Sequence, residues 1–482
     1  MHSSGTRPLE LHPDRYFDAD LLVRGIARSL YEETRSLPIV SPHGHVDPAL
    51  LAENAPFPEP TTLLITPDHY VVRMLHSQGV SLESLGLTPT DGAPHETNPR
   101  AAWQRFAEHY YLFLGTPSAA WLDYELSEVF GVRTRLDAGS ALAIYDEIAE
   151  KLQSPEFLPR ALFERFNVEV LATTDAATDL LAHHARIAAS GWTGRVIPTF
   201  RPDRALAVAS TGWREEIGRL SSIVGAPIES AGALVAALAA RRLTFKDHGA
   251  RATDHGVRRP WTQRLPQQHL DAIFARAMDG KATTEDQEHF EGHMLIEMAR
   301  LSVDDGLVMQ LHAGVWRDHD ESLLARFGHS MGGDVPMASD HVTGLHALLN
   351  AYGNHPAFRL IVFTLDESTY ARELAPLAGH YSAMRLGPPW WFHDSIEGMT
   401  RFRQRTTETA GLWNTAGFND DTRAFCSIPA RHDLSRRVDA NWLAGLVARH
   451  IVDLGDARRM ARALAIDLAR DAYRLPVPRH DK

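Results

Sequence analysis

The stretch Leu37-Pro38-Ile39-Val40-Ser41-Pro42-His43-Gly44-His45-Val46-Asp47-Pro48 is a short apolar run that breaks into a histidine pair. A run of that length, bounded by Pro and Gly, reads as a buried β-strand. On extended backbone, residues i and i+2 point to the same side. His43 and His45 can therefore aim two imidazoles at one point, and Gly44 leaves room beneath them. Neutral imidazole is the commonest metal ligand. The plainer alternative is a polar turn in a chain with 26 histidines. The placement at a strand end, in a chain that supplies more such ends, favours the metal.

Outward from this strand, a helix over 18–35 precedes it, with Leu22, Ile26 and Leu30 four residues apart. After it the pattern is mostly helical as far as residue 166, over 101–114, 119–130, 140–152 and 156–166. This predicts a helical insertion at 76–166, with 63–66 taken as loop. From Val168 the chain alternates strand and helix. Strands are expected at 168–173, 195–200, 243–245, 307–311, 360–363, 382–386 and 413–418. They end in Thr174-Asp175, Arg201-Pro202-Asp203, Lys246-Asp247-His248-Gly249, His312-Ala313-Gly314, Thr364-Leu365-Asp366, Gly387-Pro388-Pro389-Trp390-Trp391 and Asn419-Asp420-Asp421. A helix follows from Thr178, a second helical insertion is expected at 262–305, and helices from Asp433 and Asp456 close the chain. Eight strands with helical crossovers predict an α/β fold: one distorted (β/α)8 barrel across 1–482, TIM-like, with helical insertions. Chemistry in such barrels sits at the C-terminal strand ends, where the polar clusters gather here.

Composition narrows the function. With 44% hydrophobic residues the chain can bury a large core. A formal net charge of −12 disfavours nucleic acid and anionic membranes as partners. The single cysteine, Cys426, excludes a disulfide framework and a thiolate cluster and fits a reducing compartment, the cytoplasm. Residues 1–16 lack the basic and apolar regions of a signal peptide, and the most apolar run, 231–240, is too short to span a bilayer. Neither a Walker A motif nor a dinucleotide-binding glycine fingerprint is present. Only four of the 49 basic residues are lysine: Lys151, Lys246, Lys281 and Lys482. Genome base composition accounts for that bias, yet arginine also suits bidentate carboxylate recognition.

A catalytic zinc needs about three protein ligands and an open position. His43 and His45 supply two. Asp421, on the last strand, neighbours strand one in a closed barrel, where it can bind the metal or act as a base. Asp420 competes with it, and a helix cap is the plainer reading of either. Arg423 and Arg317 could hold a substrate carboxylate or an enediolate oxygen. A surface ion pair is the plainer reading of each.

These residues carry a resemblance. The order H-x-H, then Asp68-His69-Tyr70 with Arg73, Thr173-Thr174-Asp175, Arg201-Pro202-Asp203 and His312-Ala313-Gly314 with Arg317 is similar to uronate isomerases of the amidohydrolase superfamily. Trp390-Trp391-Phe392, Asp421-Thr422-Arg423 and Arg431-His432 with Arg436-Arg437 extend it, so that it runs from about Leu21 to about Tyr473. The resemblance implies interconversion of D-glucuronate with D-fructuronate and of D-galacturonate with D-tagaturonate. It implies one divalent ion, zinc, on His43, His45 and Asp421, with Asp421 also moving the C2 proton. Asp421, Tyr70, Arg423 and His312 match catalytic positions, and Arg317, Trp390, Arg201 and His69 substrate-binding ones. The partner is then a small uronic acid, and we expect a homo-oligomer. Ser41-Pro42, Ala176-Ala177, Ala430 and residues 332–341 depart from the family pattern and bear on the preferred sugar. The rival expectation is a zinc-dependent hydrolase of lactones or amides on the same barrel, with Lys246, carboxylated, bridging two metals. A non-enzymatic sugar-acid-binding barrel is the third, and the intact H-x-H and Asp421 argue against it.

Overall fold

Strand β1, Ile39–Ser41, forms where the sequence puts it and is buried along its whole length. In the computed structural model, which describes residues 7–476, β1 pairs in parallel with β2, Val168–Ala172. β2 resumes as Asp175–Ala176. β3 is split in the same way, into Val196–Ile197 and Phe200–Arg201. First pieces pair with each other, and so do second pieces. Pro198 explains the interruption, since it cannot donate to the ladder. β4, Ala252–Val257, β5, Val308–Ala313, β6, Leu360–Thr364, and β7, Met384–Leu386, follow, each parallel to the next.

The eighth position is irregular. Expected as a strand over 413–418, it begins with a 3₁₀ turn, Leu412–Asn414, and makes one parallel bridge, Leu386 to Thr415. The Ala416 N–H donates to the Leu386 carbonyl at 2.8 Å. The ring closes when the His45 N–H donates to the Thr422 carbonyl at 3.0 Å. The fold is a distorted (β/α)8 barrel.

The fourth strand is a correction. Leu243-Thr244-Phe245, expected as β-strand, belongs to the helix Ala231–Asp247. Ser230 caps that helix by accepting from the Ala233 N–H, and the alanine-rich run behind it propagates through residues 243–245. The true strand is β4, which begins seven residues after Phe245. Lys246 therefore sits at a helix end and donates to the Asp305 carbonyl, just before β5 begins. That is the N-terminal face of the barrel, away from the polar strand ends, so Lys246 cannot bridge metals beside His43. Of residues 63–66, expected as loop, Leu63 and Leu64 end the helix Pro60–Leu64, and 65–66 form the turn after it.

The region 76–166 is helical as expected, with Pro99–Glu108, Pro117–Tyr124, Ala141–Lys151 and Pro159–Arg165. Proline opens three of these at the first turn, where its missing N–H costs nothing. Trp103, Phe106, Ile144 and Leu162 pack from them into one apolar cluster with Ile39 and Leu171. Residues 262–305 hold Gln267–Met278 and Thr284–Asp305, the latter started by a Thr283–Asp286 capping box.

Inside the barrel, Val40, Val170, Ala172, Val308, Ile361 and Phe363 share a cluster with Tyr473 and Leu475 from the chain's last turn. The Tyr473 hydroxyl donates to Gln310 Oε1 at 2.7 Å, satisfying a buried amide on β5. Among the described residues no helix is long and apolar enough to cross a membrane. The sequence readings of residues 1–6 lie outside the described residues.

One loop contact gives a test of packing. The Gly344 carbonyl accepts from the Thr262 N–H and hydroxyl at 2.8 and 2.6 Å, and a Cβ on Gly344 would lie 1.8 Å from the Pro260 carbonyl oxygen. Backbone on both sides cannot yield as a side chain would. Gly344→Ala is expected to cost about 1–3 kcal/mol, within the range for overpacking. A lowered thermal unfolding midpoint checks this, and an unchanged midpoint would show that the loop gives way freely.

Candidate active site

The first-strand histidines converge with the last segment's carboxylate. His45 Nε2 lies 3.2 Å and His43 Nε2 3.5 Å from Asp421 Oδ1. The two imidazole planes stand at 83° with centroids 5.3 Å apart, so their lone pairs can meet. A Cβ at Gly44 would meet the Ala172 and Thr422 carbonyls at 3.6 Å, ordinary van der Waals contact, so the packing here tolerates glycine without requiring it. Asp421 itself takes φ +40°, a left-handed conformation that non-glycine residues adopt at a cost. Neighbouring Asp420, its rival in the sequence, turns the other way, onto His432 Nε2 at 3.1 Å. Asp421 caps no helix.

These groups fit a divalent ion. Asp421 Oδ1 and His43 Nδ1 are buried with no hydrogen-bond partner among the described residues, although two nitrogens crowd the carboxylate oxygen. One ligand atom from each of His43, His45 and Asp421 lies within 4.8 Å of the others. Burial holds the His43 imidazole down to about 4, neutral and ready to ligate. Burial works against ionisation of Asp421, but His43 and His45 outweigh it and hold the carboxyl well below the usual range.

A second trio, His43, Asp254 and His312, is equally close-set but fits a metal poorly. The His43 and His312 rings are stacked, with planes 25° apart and centroids at 4.7 Å, so their in-plane lone pairs do not converge. Asp254 is also already matched. Its Oδ1 meets His312 Nδ1 at 2.6 Å, and its Oδ2 meets Arg201 Nη1 at 3.0 Å. Burial opposes that charge, yet Arg201 and His312 hold Asp254 well below the usual carboxylate range. An ionised Asp254 fixes the proton of His312 on Nδ1 and leaves Nε2, buried and unpartnered, as the acceptor.

His312 is wedged between aromatic faces. Phe363 stacks on it at 4.1 Å and the Trp390 edge meets it at 4.7 Å. The Trp390 indole N–H is buried and without a partner. Arg201 is committed to two carboxylates, donating also from Nε to Asp203 Oδ2 at 2.7 Å. A Cβ on Gly256 would stand 2.4 Å from its Nη2, so a larger residue there would push the Arg201 guanidinium aside.

The helix His69–His76 begins beside the trio, capped by Asp68, which accepts from the Tyr70 N–H at 2.8 Å. His69 stacks on Tyr70 and meets the edge of Trp391, and its Nε2 has no partner. Burial, with Arg423 and Arg431 nearby, pushes His69 down to about 3, so it is neutral. The Tyr70 hydroxyl is spoken for: it donates to Asp394 Oδ1 at 2.8 Å and accepts from the Phe392 N–H at 3.1 Å. Arg431 completes this group, donating to Asp394 Oδ2 at 3.0 Å with its guanidinium 3.7 Å above the Trp121 ring.

The trio stands between two recesses. A small one is lined by His45, His69, Trp391, Asp421 and Arg423. A larger one, about 240 Å³, is lined by Gly256, Glu291, His312, Trp316 and Arg317. Arg423 and Arg317 each have an exposed end, held only loosely, by Ser330 Oγ at 3.1 Å and Asp334 Oδ2 at 3.4 Å. His43, His45, His69, Tyr70, Arg201, His312, Arg317, Trp390, Asp421 and Arg423 thus lie at this end of the barrel, whereas Lys246, Arg436 and Arg437 lie at the other. Asp254, Asp394 and the role of Arg431 were not foreseen. The alternation in Ala252-Thr253-Asp254-His255 was the available signal for the first; nothing local marks Asp394.

The family model described as glucuronate isomerase matches residues 15–469. A uronate isomerase of Nostoc punctiforme is 54% identical over 471 residues, covering 98% of this chain and 99% of that one. One from Rhizobium meliloti is 52% identical, covering 96% and 99%. Among solved structures, a glucuronate isomerase from Caulobacter crescentus superposes with a TM-score of 0.96 at 48% identity, covering 98% of each chain. A uronate isomerase from Thermotoga maritima gives 0.89 at 27% identity, covering 96% and 99%. With its sequence matched nearly end to end and its barrel superposed on theirs, the chain belongs to the uronate isomerase family.

Proposed function

We propose that the protein interconverts aldose and ketose forms of uronic acids, D-glucuronate with D-fructuronate and D-galacturonate with D-tagaturonate. One observation carries the reading within the family: a buried, ionised carboxylate, Asp421, that faces two imidazoles without hydrogen-bonding to either, beside Arg423. A hydrolase that needs a carboxylated lysine finds no support, because Lys246 lies at the other end of the barrel.

His43, His45 and Asp421 are the residues that would hold one divalent ion, which we take to be zinc from its preference for nitrogen and carboxylate donors. When bound, such an ion polarises sugar oxygens and keeps the neighbouring carboxylate ionised. Asp421 takes the proton from C2 of the open-chain aldose, and the C2–H electron pair forms the C1–C2 double bond of an enediol. Asp421 then returns the proton to C1. Meanwhile one proton must leave O2 and one must arrive at O1. The acceptor Nε2 of His312, with its other nitrogen fixed by Asp254, suits that transfer. Arg423 stabilises charge on the enediolate oxygens. Arg317 answers the distal carboxylate, Arg201 holds Asp254 in place beside it, His69 and the Trp390 N–H contact hydroxyls, and Tyr70, tied to Asp394, supports the ring of His69. The chain is further read as a cytoplasmic homo-oligomer. Its only cysteine is free and buried, in keeping with a reducing compartment, and exposed Leu21, Leu22 and Ile451 offer an association surface.

The direct test is turnover of D-glucuronate and D-galacturonate by the purified protein; failure with both removes the reading. Protein prepared without chelator is expected to carry about one zinc per chain, and His45→Ala should lose it by elemental analysis. Asp421→Asn keeps size and removes the base, so kcat should fall at least about a hundredfold with substrate binding largely kept. Full activity there would transfer the base role elsewhere. Arg423→Lys is expected to cripple turnover with an unchanged circular dichroism spectrum, because an ammonium cannot copy a planar two-pronged contact. Normal kinetics would make Arg423 an ordinary surface residue.

A further inference from the structure

At the opposite end of the barrel, where β1 and β2 begin, lies a cavity of about 660 Å³ lined by Leu37, Ile39 and Asn167. Five arginines line it, Arg15, Arg35, Arg165, Arg436 and Arg437, against two carboxylates, Glu128 and Asp433. This is an unusual excess of cations in a protein of net charge −12. We propose that this cavity is a second ligand site, for a small solute bearing a multiply charged phosphoryl group.

Asp433 serves Arg15 and Arg437 together, at 2.5 and 2.9 Å, and accepts the Tyr31 hydroxyl as well. It has nothing left for the remaining three arginines. Arg436 is 7% exposed and donates only to backbone, to the Arg35 and Pro38 carbonyls at 3.0 and 2.9 Å. Its Nε–H is buried without a partner. Arg165 donates to the Val129 carbonyl at 2.9 Å and rests on the Phe157 ring. Neither has a carboxylate partner among the described residues. Arg35 pairs with Glu32, but both ends of that bridge are more than half exposed, where such pairs hold little.

Arg436 is a buried guanidinium without a counter-charge, which is costly, and with the exposed Arg35 and Arg165 around the same concavity it makes a site suited to an anion. Guanidinium forks match the oxygens of a phosphoryl group two at a time. A carboxylate carries less charge, and the volume exceeds what one inorganic ion fills, which points to a phosphorylated small molecule. The site is separate from the candidate active site: β1 runs between them, with His43 past its far end.

The test is equilibrium dialysis of the metal-loaded protein against radiolabelled inorganic phosphate at fixed ionic strength, with glycerol 2-phosphate and succinate as competitors. Saturable binding is expected, displaced by glycerol 2-phosphate and poorly by succinate. Arg165→Gln should weaken it about tenfold, the loss of one charge-assisted contact, while uronate turnover stays at the wild-type level and so shows the variant is folded. Arg35→Gln, on an exposed side chain, is the second variant and should also weaken binding. Arg423→Gln should leave binding unchanged. Absence of saturable binding overturns the proposal. So does phosphate binding lost in Arg423→Gln but kept in Arg165→Gln, which would place the anion in the candidate active site. Equal displacement by succinate overturns the phosphoryl assignment.

Discussion

Closure of the barrel is the constraint on which the site depends. His45 belongs to the first strand's exit and Asp421 to the last segment's, and they become neighbours only because the His45 amide docks on the Thr422 carbonyl. That one backbone bond sets the imidazoles of His43 and His45 against Asp421. The last segment is a weak strand, with a single bridge to β7. Adjacent residues on extended backbone point to opposite sides, so Asp420 meets His432 while Asp421 meets His43 and His45, and the left-handed residue at 421 ends the extended run there.

Around that seam the buried charges are sorted into matched groups. Asp254 sits between Arg201 and His312, and Asp394 between Tyr70 and Arg431. Buried ions of this kind add little net stability, since desolvation offsets their attraction. What they supply is orientation. Each carboxylate fixes a ring or a guanidinium in one pose, so the unpartnered nitrogens of His312 and His69 are placed by groups that are themselves fully engaged.

Much of this was legible in the sequence. Strand-period apolar runs flanked by polar exits located β1, β2, β3, β5, β6 and β7, and the i, i+2 histidines pointed to the candidate site. The fourth strand was misplaced because Leu243-Thr244-Phe245 has strand-like residues next to a polar exit. Only the cap at Ser230 and the alanine run before it reveal that a helix passes through. That error hid Asp254, whose importance comes from contacts with Arg201 and His312, 53 and 58 residues away. Asp394 was invisible for the same reason: its meaning lies in Tyr70, 324 residues earlier. Local patterns report local structure, and charge pairing across a barrel is not local. Tyr70 shows the converse, since its position was evident while the engagement of its hydroxyl was not.

The seam also dictates an order of events during synthesis. His45 leaves the ribosome 376 residues before Asp421, roughly 20–75 s at ordinary elongation rates. Through that interval the first strand has its histidines but neither the carboxylate nor the amide acceptor that close the ring. The barrel floor comes later still, when Tyr473 reaches Gln310. Contacts this distant in sequence make for slow, late folding steps. The helices of residues 76–166 emerge well before the closing segment and pack onto Ile39, so they are available to cover β1 through that interval. The side that covers β1 in the finished barrel is thus made long before the carboxylate that completes the candidate site.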